Sequence, residues 1–578
     1  MWRANVAIRQ RSEESGQIDR TKHRSVLPLC LLALLFAVAT GQAQDLDQIG
    51  EGPAVTVGGS INGRTTYRTT TGDEDRASAL LSGSLSIDLY GLSLPFSFAI
   101  GTEDRSFSQP FNQFGLSPQY KWITAHLGHR NLTHSEWTLS GHQIFGAGLE
   151  IAPGPFRASF IAGRLRAPIV ADTTDTLTSG DASSAELRRT GYAGMIGYRG
   201  DAFDIELSGL LAADDTTGSE ATAILADGAL PAENAVGALA VALRPVDGLQ
   251  LRFTAGLSEY TRDVRSETIE IDDDFAALGE IQQPRLSTQV YTGIKAEASY
   301  TGTDFSVRAG YSRIDPDFQS MGTYYTSSDI EALTFGSTVS LAERRLNLSG
   351  NLAISHDNVT GKKRATTSTF APTLTIDWRP STPFGISLNV NTRLLSQEAG
   401  TVPLEQSTRL ENETRTITIL PRYSIIDTAT VHSFSAVATH MQLFDENEET
   451  APFTTYASTT GSIGYNMTRV QSGISINGAV SLTTIDNSGG SQQTLGGSIG
   501  GRLPILADRL SADGSIAAGF STDARTLSGS TGLAYRDGKH HTITLGLAAS
   551  NAQREGADEN DNASTTEFRG VASYGYRF

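Results

Sequence analysis

His126, His129, His134 and His142 place four imidazoles within 17 residues, and imidazoles gathered in this way can hold a transition metal. The spacing argues against it. In a strand over 120–130, His126 and His129 point to opposite faces, and no compact set of carboxylates accompanies them. They are read as polar side chains of a loop or a water-facing wall, and no metal or cofactor is expected. Gly496-Gly497-Ser498-Ile499-Gly500 matches the string of a nucleophile elbow, whose serine needs a strand, a sharp turn and then a helix. It lies instead in a Gly-rich strand pattern, where close strand packing explains the glycines. No Walker loop, dinucleotide fingerprint or zinc-protease motif occurs in a fitting context, and no Ser, His and carboxylate can be matched as a set, so no enzyme is expected. The stretch from Arg105 to Gly141 combines Phe107, Phe111, Phe114, Trp122 and Trp137 with Arg105, Lys121 and Arg130. Such a segment is costly to leave fully exposed.

The elements that must position these residues are strands. From about Ala54 to Phe578 the dominant signal is period-two alternation, which puts every second side chain on one face. Leu81, Leu85, Ile87 and Leu89 alternate with serines and Asp88, and Phe384, Ile386, Leu388 and Val390 alternate with Gly385, Ser387, Asn389 and Asn391. Very short turns, near Gly91, Pro153 to Pro155, Gly200 to Asp201 and onward to Asp537 to Lys539, alternate with longer, more acidic connections. Two strands fit between most successive turns. Between Gly91 and Pro153 there are three candidates, an odd number that an up-and-down sheet does not accommodate.

Composition agrees. Hydrophobic residues make up 39%, charged residues 19%, and there are 58 glycines, a mixture that favours strands and turns over helices. Lys22 and Arg24 precede an apolar run from Val26 to Val38 that ends in small residues at Gly41 and Ala43, the pattern of a cleavable signal peptide over residues 1–43. The run is shorter than the ~20 residues a spanning helix needs. Cys30, the sole cysteine, lies inside it, so disulfide, thiolate and Cys-metal chemistry are excluded from the mature chain. The formal charge is −18, and residues 1–43 carry +3, so their removal leaves −21. Nucleic acid is not an expected partner.

Alternation alone does not separate a soluble sheet from one in lipid. Strand length does, since many candidates reach the ~9–11 residues of a tilted membrane crossing, against ~5–6 in ordinary strands. The pattern predicts an all-β fold: a single large antiparallel up-and-down transmembrane β-barrel of about 24 strands, within 22 to 26, over residues 54–578, after a short periplasmic segment 44–53. Phe568, Ala572, Tyr574, Tyr576 and Phe578 share one face of the last strand, and the chain ends at Phe578. This ending resembles the aromatic-terminated last strand of bacterial outer-membrane barrels. The resemblance implies outer-membrane localisation and recognition of Tyr574, Tyr576 and Phe578 by the barrel assembly machinery. Pro110 to His142, opening Pro-Phe-Asn-Gln-Phe-Gly-Leu-Ser-Pro, is similar to a segment of uncharacterised outer-membrane proteins of Bacteroidota-type bacteria, a family that implies a barrel and no particular activity.

Within a barrel, part of 105–141 is expected to fold into the lumen and narrow it with Arg105, Phe111, Phe114, Lys121, Trp122, Arg130 and Trp137; packing against the wall is the alternative. Acidic runs at Asp73 to Asp75, Asp214 and Asp215, Glu267 to Asp274, Asp445 to Glu449 and Glu555 to Asp561 fall at loop tips. Carboxylates at one rim suit divalent cations that bridge lipopolysaccharide, although solvated, mutually repelling loops are the plainer reading. The expected function is a channel or porin, with a surface scaffold or adhesin of closed lumen as the alternative. A TonB-dependent receptor is disfavoured because 44–53 is too short for a plug domain.

Overall fold

Alternating β-branched, aromatic and hydroxyl-bearing residues form a pleated wall because each strand satisfies two media, one on each face. In the computed structural model the described residues are 55–578, apart from 74, 103–112, 170–184, 270–281, 507–508 and 555–562. The expected signal peptide and the segment 44–53 lie outside them. Strand segments run in chain order around one antiparallel sheet, and β1 (Val55–Thr70) pairs with β27 (Ala563–Arg577), which closes it. Ser60 opposes Arg577 and Thr70 opposes Glu567, and Phe578 exchanges both backbone bonds with Gly59 at 3.1 Å. No free edge remains at the seam, so every wall hydrogen bond can be made inside the hydrocarbon.

The barrel has 26 strands, at the top of the expected range of 22 to 26 and above its central value of about 24. The difference lies between Gly91 and Pro153. After β3 (Leu92–Gly101) comes one wall strand in two pieces, β4 (Gln113–Leu116) and β5 (Gln119–Tyr120), both bridging β3 to β6 (Ile123–Asn131). Pro118 interrupts it, since a proline has no N–H for the ladder. The turn that joins it to β6 is Lys121-Trp122, with Lys121 at φ 54°. No Gly, Pro, Asn or Asp marks that turn, which is why the hairpin is hard to see in sequence. β7 (Gln143–Ile151) completes the even count.

The turns at 90–91, 121–122, 247–248 and 537–540 and both ends of the described chain share one end of the barrel. Asp537 shows how such a turn is fixed: its carboxylate accepts the backbone N–H groups of Lys539, His540 and His541 at 2.8, 2.7 and 2.9 Å. Those bonds, His541 foremost, lower its pKa to about 2. Aromatic pairs ring the same end on the outer face, including Phe156–Tyr198 at 5.3 Å, Tyr300–Phe305 at 5.6 Å and Phe434–Tyr465 at 5.0 Å. Above them the outer face is apolar and uncovered by protein, with Ile463 70%, Leu547 65% and Ile499 62% exposed. An apolar band flanked by aromatic rings fits hydrocarbon meeting headgroups.

Candidate functional site

Strands 26 in number, spaced ~4.8 Å apart and tilted ~40°, enclose a ring about 50 Å across if round. Its inner wall is of two kinds. From β6 to β14 (Phe305–Ile314) it is covered by the loops 132–142 and 315–329, and the deeply buried side chains concentrate there.

Trp137, 1% exposed, is the anchor of the first loop. It sits on Gly256 of β12 (Leu249–Thr261) and Gly293 of β13 (Thr288–Thr301), which directly oppose each other. A Cβ at Gly256 or Gly293 would come within 2.6 or 2.4 Å of the indole, so both glycines are the seat. Phe318 of the second loop meets the ring edge-on at 5.2 Å, while Lys295 lies 5.2 Å over it and pairs with Glu136. The two loops bind each other through Ser140 N–H to Gly322 carbonyl at 3.1 Å and Ser320 Oγ to Thr138 carbonyl at 2.8 Å. They bind the wall through Met321 N–H to Asn234 Oδ1 at 2.9 Å and Ser258 Oγ to Gln319 carbonyl at 2.6 Å. Beneath them Leu139 and Met321 pack on Ile144, Ile161, Leu210 and Val236. A lumen-facing Ile or Leu would be wasted against water; here it has a partner.

Above this packing a cavity of about 400 Å³ opens among His142, Arg166, Arg189, Tyr260 and Tyr324. His142 stacks on Tyr324 at 4.3 Å. Asp214, its side chain 2% exposed, accepts from Arg189 at 2.8 and 3.0 Å, from Arg166 at 3.3 Å and from Ala232 N–H at 3.1 Å. The arginine donors nearest the cavity are therefore largely engaged. Burial pushes the pKa of His134 and His142 down; Glu150 opposes the shift at His134, and Arg189 and Arg166 add to it at His142.

The residues expected at a constriction are dispersed. Arg105 and Phe111 lie outside the described residues. Phe114 is on the outer face, 51% exposed, against His129 at 5.4 Å and Phe145 at 5.6 Å. Lys121 and Trp122 form the short turn at the far end. Arg130 is on the inner wall, stretched across Gly115 to Ser97 at 3.4 Å. Among the described ones Trp137 alone belongs to the infolded loop, because 113–131 is wall and the chain leaves it only after Asn131. The loop 315–329 was the unrecognised partner. Its local signal, Phe318, Met321, Tyr324 and Tyr325 in a connection, gains meaning only beside Gly256 and Gly293.

The histidines do not converge on a metal. His129 faces outward, while His126 faces inward, hydrogen-bonded to Ser117 at 2.9 Å and lying 3.2 Å from Glu150. Although this is a Ser, His and carboxylate set, the Ser117 N–H is spent on the Pro95 carbonyl and Pro118 has none to offer. Neither can stabilise an oxyanion, and His126 is only 7% exposed. The set pins the interrupted strand to its neighbour.

From β15 (Ile330–Leu341) through β27 and on to β3 the inner face carries mainly Ser, Thr, Asn and Gly. Hydroxyls bridge strands across it, as in Thr418–Thr439 at 3.1 Å, Thr460–Thr483 at 3.1 Å and Ser515–Ser530 at 2.8 Å. Asn62, Arg64, Asp513 and Ser515 on this face are exposed. At the seam Tyr574, Tyr576 and Phe578 face outward, Tyr574 bonded to His541 at 2.9 Å and Tyr576 stacked on Phe578 at 5.8 Å.

No protein-family model and no curated sequence matches the chain. Among solved structures it is similar to the Escherichia coli P pilus tip assembly intermediate PapC-PapD-PapK-PapG, at 11% identity over 87% of this chain and 61% of that chain, TM-score 0.44. It is similar to the siderophore receptor PirA from Acinetobacter baumannii at 8% identity over 90% of this chain and 80% of that chain, TM-score 0.36. It is similar to Pseudomonas aeruginosa OpdK with vanillate at 10% identity over 90% of this chain and 99% of that chain, TM-score 0.28. The chain thus spans about three fifths of the first of these, 61% of its length. Its own wall carries the assignment: a closed sheet, an apolar outer band, an aromatic girdle and a polar interior make this chain a transmembrane β-barrel of the bacterial outer-membrane kind.

Proposed function

We propose that the protein is a channel whose solutes pass along the hydroxyl-lined arc, beside the infolded loops. The observation that supports this reading is the difference in exposure: inner side chains of β15 to β3 are accessible, whereas many of those on β6 to β14 are buried beneath the infolded loops. The loops 132–142 and 315–329 are too small to fill a lumen enclosed by a backbone ring about 50 Å across. They narrow it from one side and fix its shape, as an inserted loop does in a selective pore. Transport requires no covalent chemistry and no cofactor. The acidic loop tips, apart from Asp214, whose carboxylate is spent on Arg166 and Arg189, take divalent cations and through them lipopolysaccharide, and the outward aromatic end at Tyr574, Tyr576 and Phe578 is what the assembly machinery reads.

Purified protein in a planar bilayer tests the reading. Stable open steps are expected, growing when 316–328 is replaced by a short Gly-Ser turn. Persistent closure of the intact protein would favour a scaffold with a blocked lumen, and steps unchanged by the replacement would remove the narrowing role of the loops.

A further inference from the structure

The chain is acidic overall, yet the accessible inner wall is not. Alternation assigns its faces: in β1, Ile61 and Tyr67 are exposed on the outside, so Arg64 and Arg68 point inward. In β2 (Arg76–Leu89) and β27 the same parity turns Arg76, Arg569 and Arg577 inward, because Leu81, Phe568 and Tyr574 are outside. Register then stacks them. Arg68 is directly opposite both Arg76 and Arg569, giving a row of guanidiniums across three adjacent strands. Arg64 is the next charge down β1, about 13 Å lower, and Arg577, paired with Ser60, is about 13 Å lower again. Glu567 binds Arg68 at 2.9 Å. Arg64, Arg76 and Arg569 have no ion pair among the described residues and are exposed.

The same face continues in Arg393, Arg422, Arg502, Arg536 and Arg554. Against them stand Asp88, Asp377, Asp445, Asp513 and Glu567, so guanidiniums outnumber carboxylates on this wall. The carboxylates of Glu398, Glu413 and Asp486 fall on the outer face instead, near the loop ends of their strands. In the covered arc, by contrast, many inward charges are paired, Arg244 with Asp204 at 2.5 Å, Arg199 with Glu206 at 3.3 Å, and Lys295 with Glu136, while Arg252 and Arg308 face inward without an ion pair among the described residues. Like charges placed directly across a ladder destabilise it, and three guanidiniums in one row have no packing purpose. Rings and rows of arginine in a pore raise the local concentration of anions and let them pass from site to site.

We infer that the open arc is an anion path, in which Arg68, Arg76 and Arg569 collect small anions such as chloride, phosphate or carboxylates at the mouth and Arg64 and Arg577 hand them on along the seam. This rests on the channel reading and names its substrate class.

The test is the reversal potential of the mature protein in a planar bilayer under a KCl gradient at low ionic strength, where screening is weak. A reversal potential of the sign set by chloride is expected, shifting toward zero in the Arg64→Gln/Arg76→Gln/Arg569→Gln variant and retained in Arg64→Lys. Heat-modifiability on gels shows that each variant is folded; should the triple variant fail to assemble, Arg64→Gln alone gives a smaller shift of the same sign. Conducting steps that select potassium, or a chloride selectivity untouched by these substitutions, overturn the anion path and leave the channel standing. Absence of conducting steps overturns the channel, and the anion path with it.

Discussion

The covered arc and the open arc obey one alternation rule and use it for different ends. Strands β6 and β7 are 9 residues long and feed a long loop. Strands β18 (Phe384–Ala399), β19 (Glu411–Ile426) and β20 (Thr430–Asp445) are 16 residues each, and farther on 488–489 and 522–523 are the whole connections. Where loops fold inward, the inner face turns from hydroxyls to Gly, Ala, Ile and Leu, and the loops bring Trp137, Leu139, Phe318 and Met321 to meet it. Along β15 to β27 the inner face stays polar. A barrel wall can therefore be a core on one side of its lumen and a water-facing surface on the other without any change of fold.

The largest blow to this contrast is Trp137→Ala. Removing a buried indole from its glycine seat costs about 3–5 kcal/mol in a packed interior. The cost falls on the loop pair, so 132–142 and 315–329 become sites of protease nicking while the barrel keeps its heat-modifiable band. An intact loop pair in the variant would mean that hydrogen bonds, not the indole, hold it.

A smaller effect on the same arc comes from acid. Burial disfavours the charged forms of His134 and His142, so their folded pKa values lie below 6.5. The unfolded loops then bind more protons, and the contribution of these groups is complete above 6.5 and declines as pH falls from there toward the folded values. Protease sensitivity of the loops should rise between pH 7.5 and pH 5 and should flatten in His134→Gln/His142→Gln. A pH-independent cleavage rate in the unsubstituted protein would refute it.

The smallest effect is expected on the open arc. Ser515→Ala removes an exposed hydroxyl partner of Ser530 at 2.8 Å, and exposed hydrogen bonds of this kind change stability by no more than about 0.5 kcal/mol. Urea unfolding of the folded barrel should be indistinguishable from that of the unsubstituted protein. A loss of several times that size would show that the hydroxyl network is structural and erase the distinction between the arcs.

Much of the wall was legible in the residues. Period two, strand length and the turns at Gly91, Pro153 and Asp537 fix a membrane-crossing barrel, because hydrocarbon outside and polar interior act on every strand separately and locally. The hairpin at Lys121-Trp122 was not legible, since its turn has no residue whose backbone preference announces it. The interior partners were not legible either. That Trp137 should rest on Gly256 and Gly293, or that Arg569, Arg68 and Arg76 should share a row, depends on strand register and on ring closure between distant parts of the chain. The sequence by itself determined which residues meet lipid and which face inward, a matter of parity along each strand. Only the tertiary structure decided what they face there, because ring closure and loop infolding, not local preference, choose which inward side chains are covered and which stay open to solute.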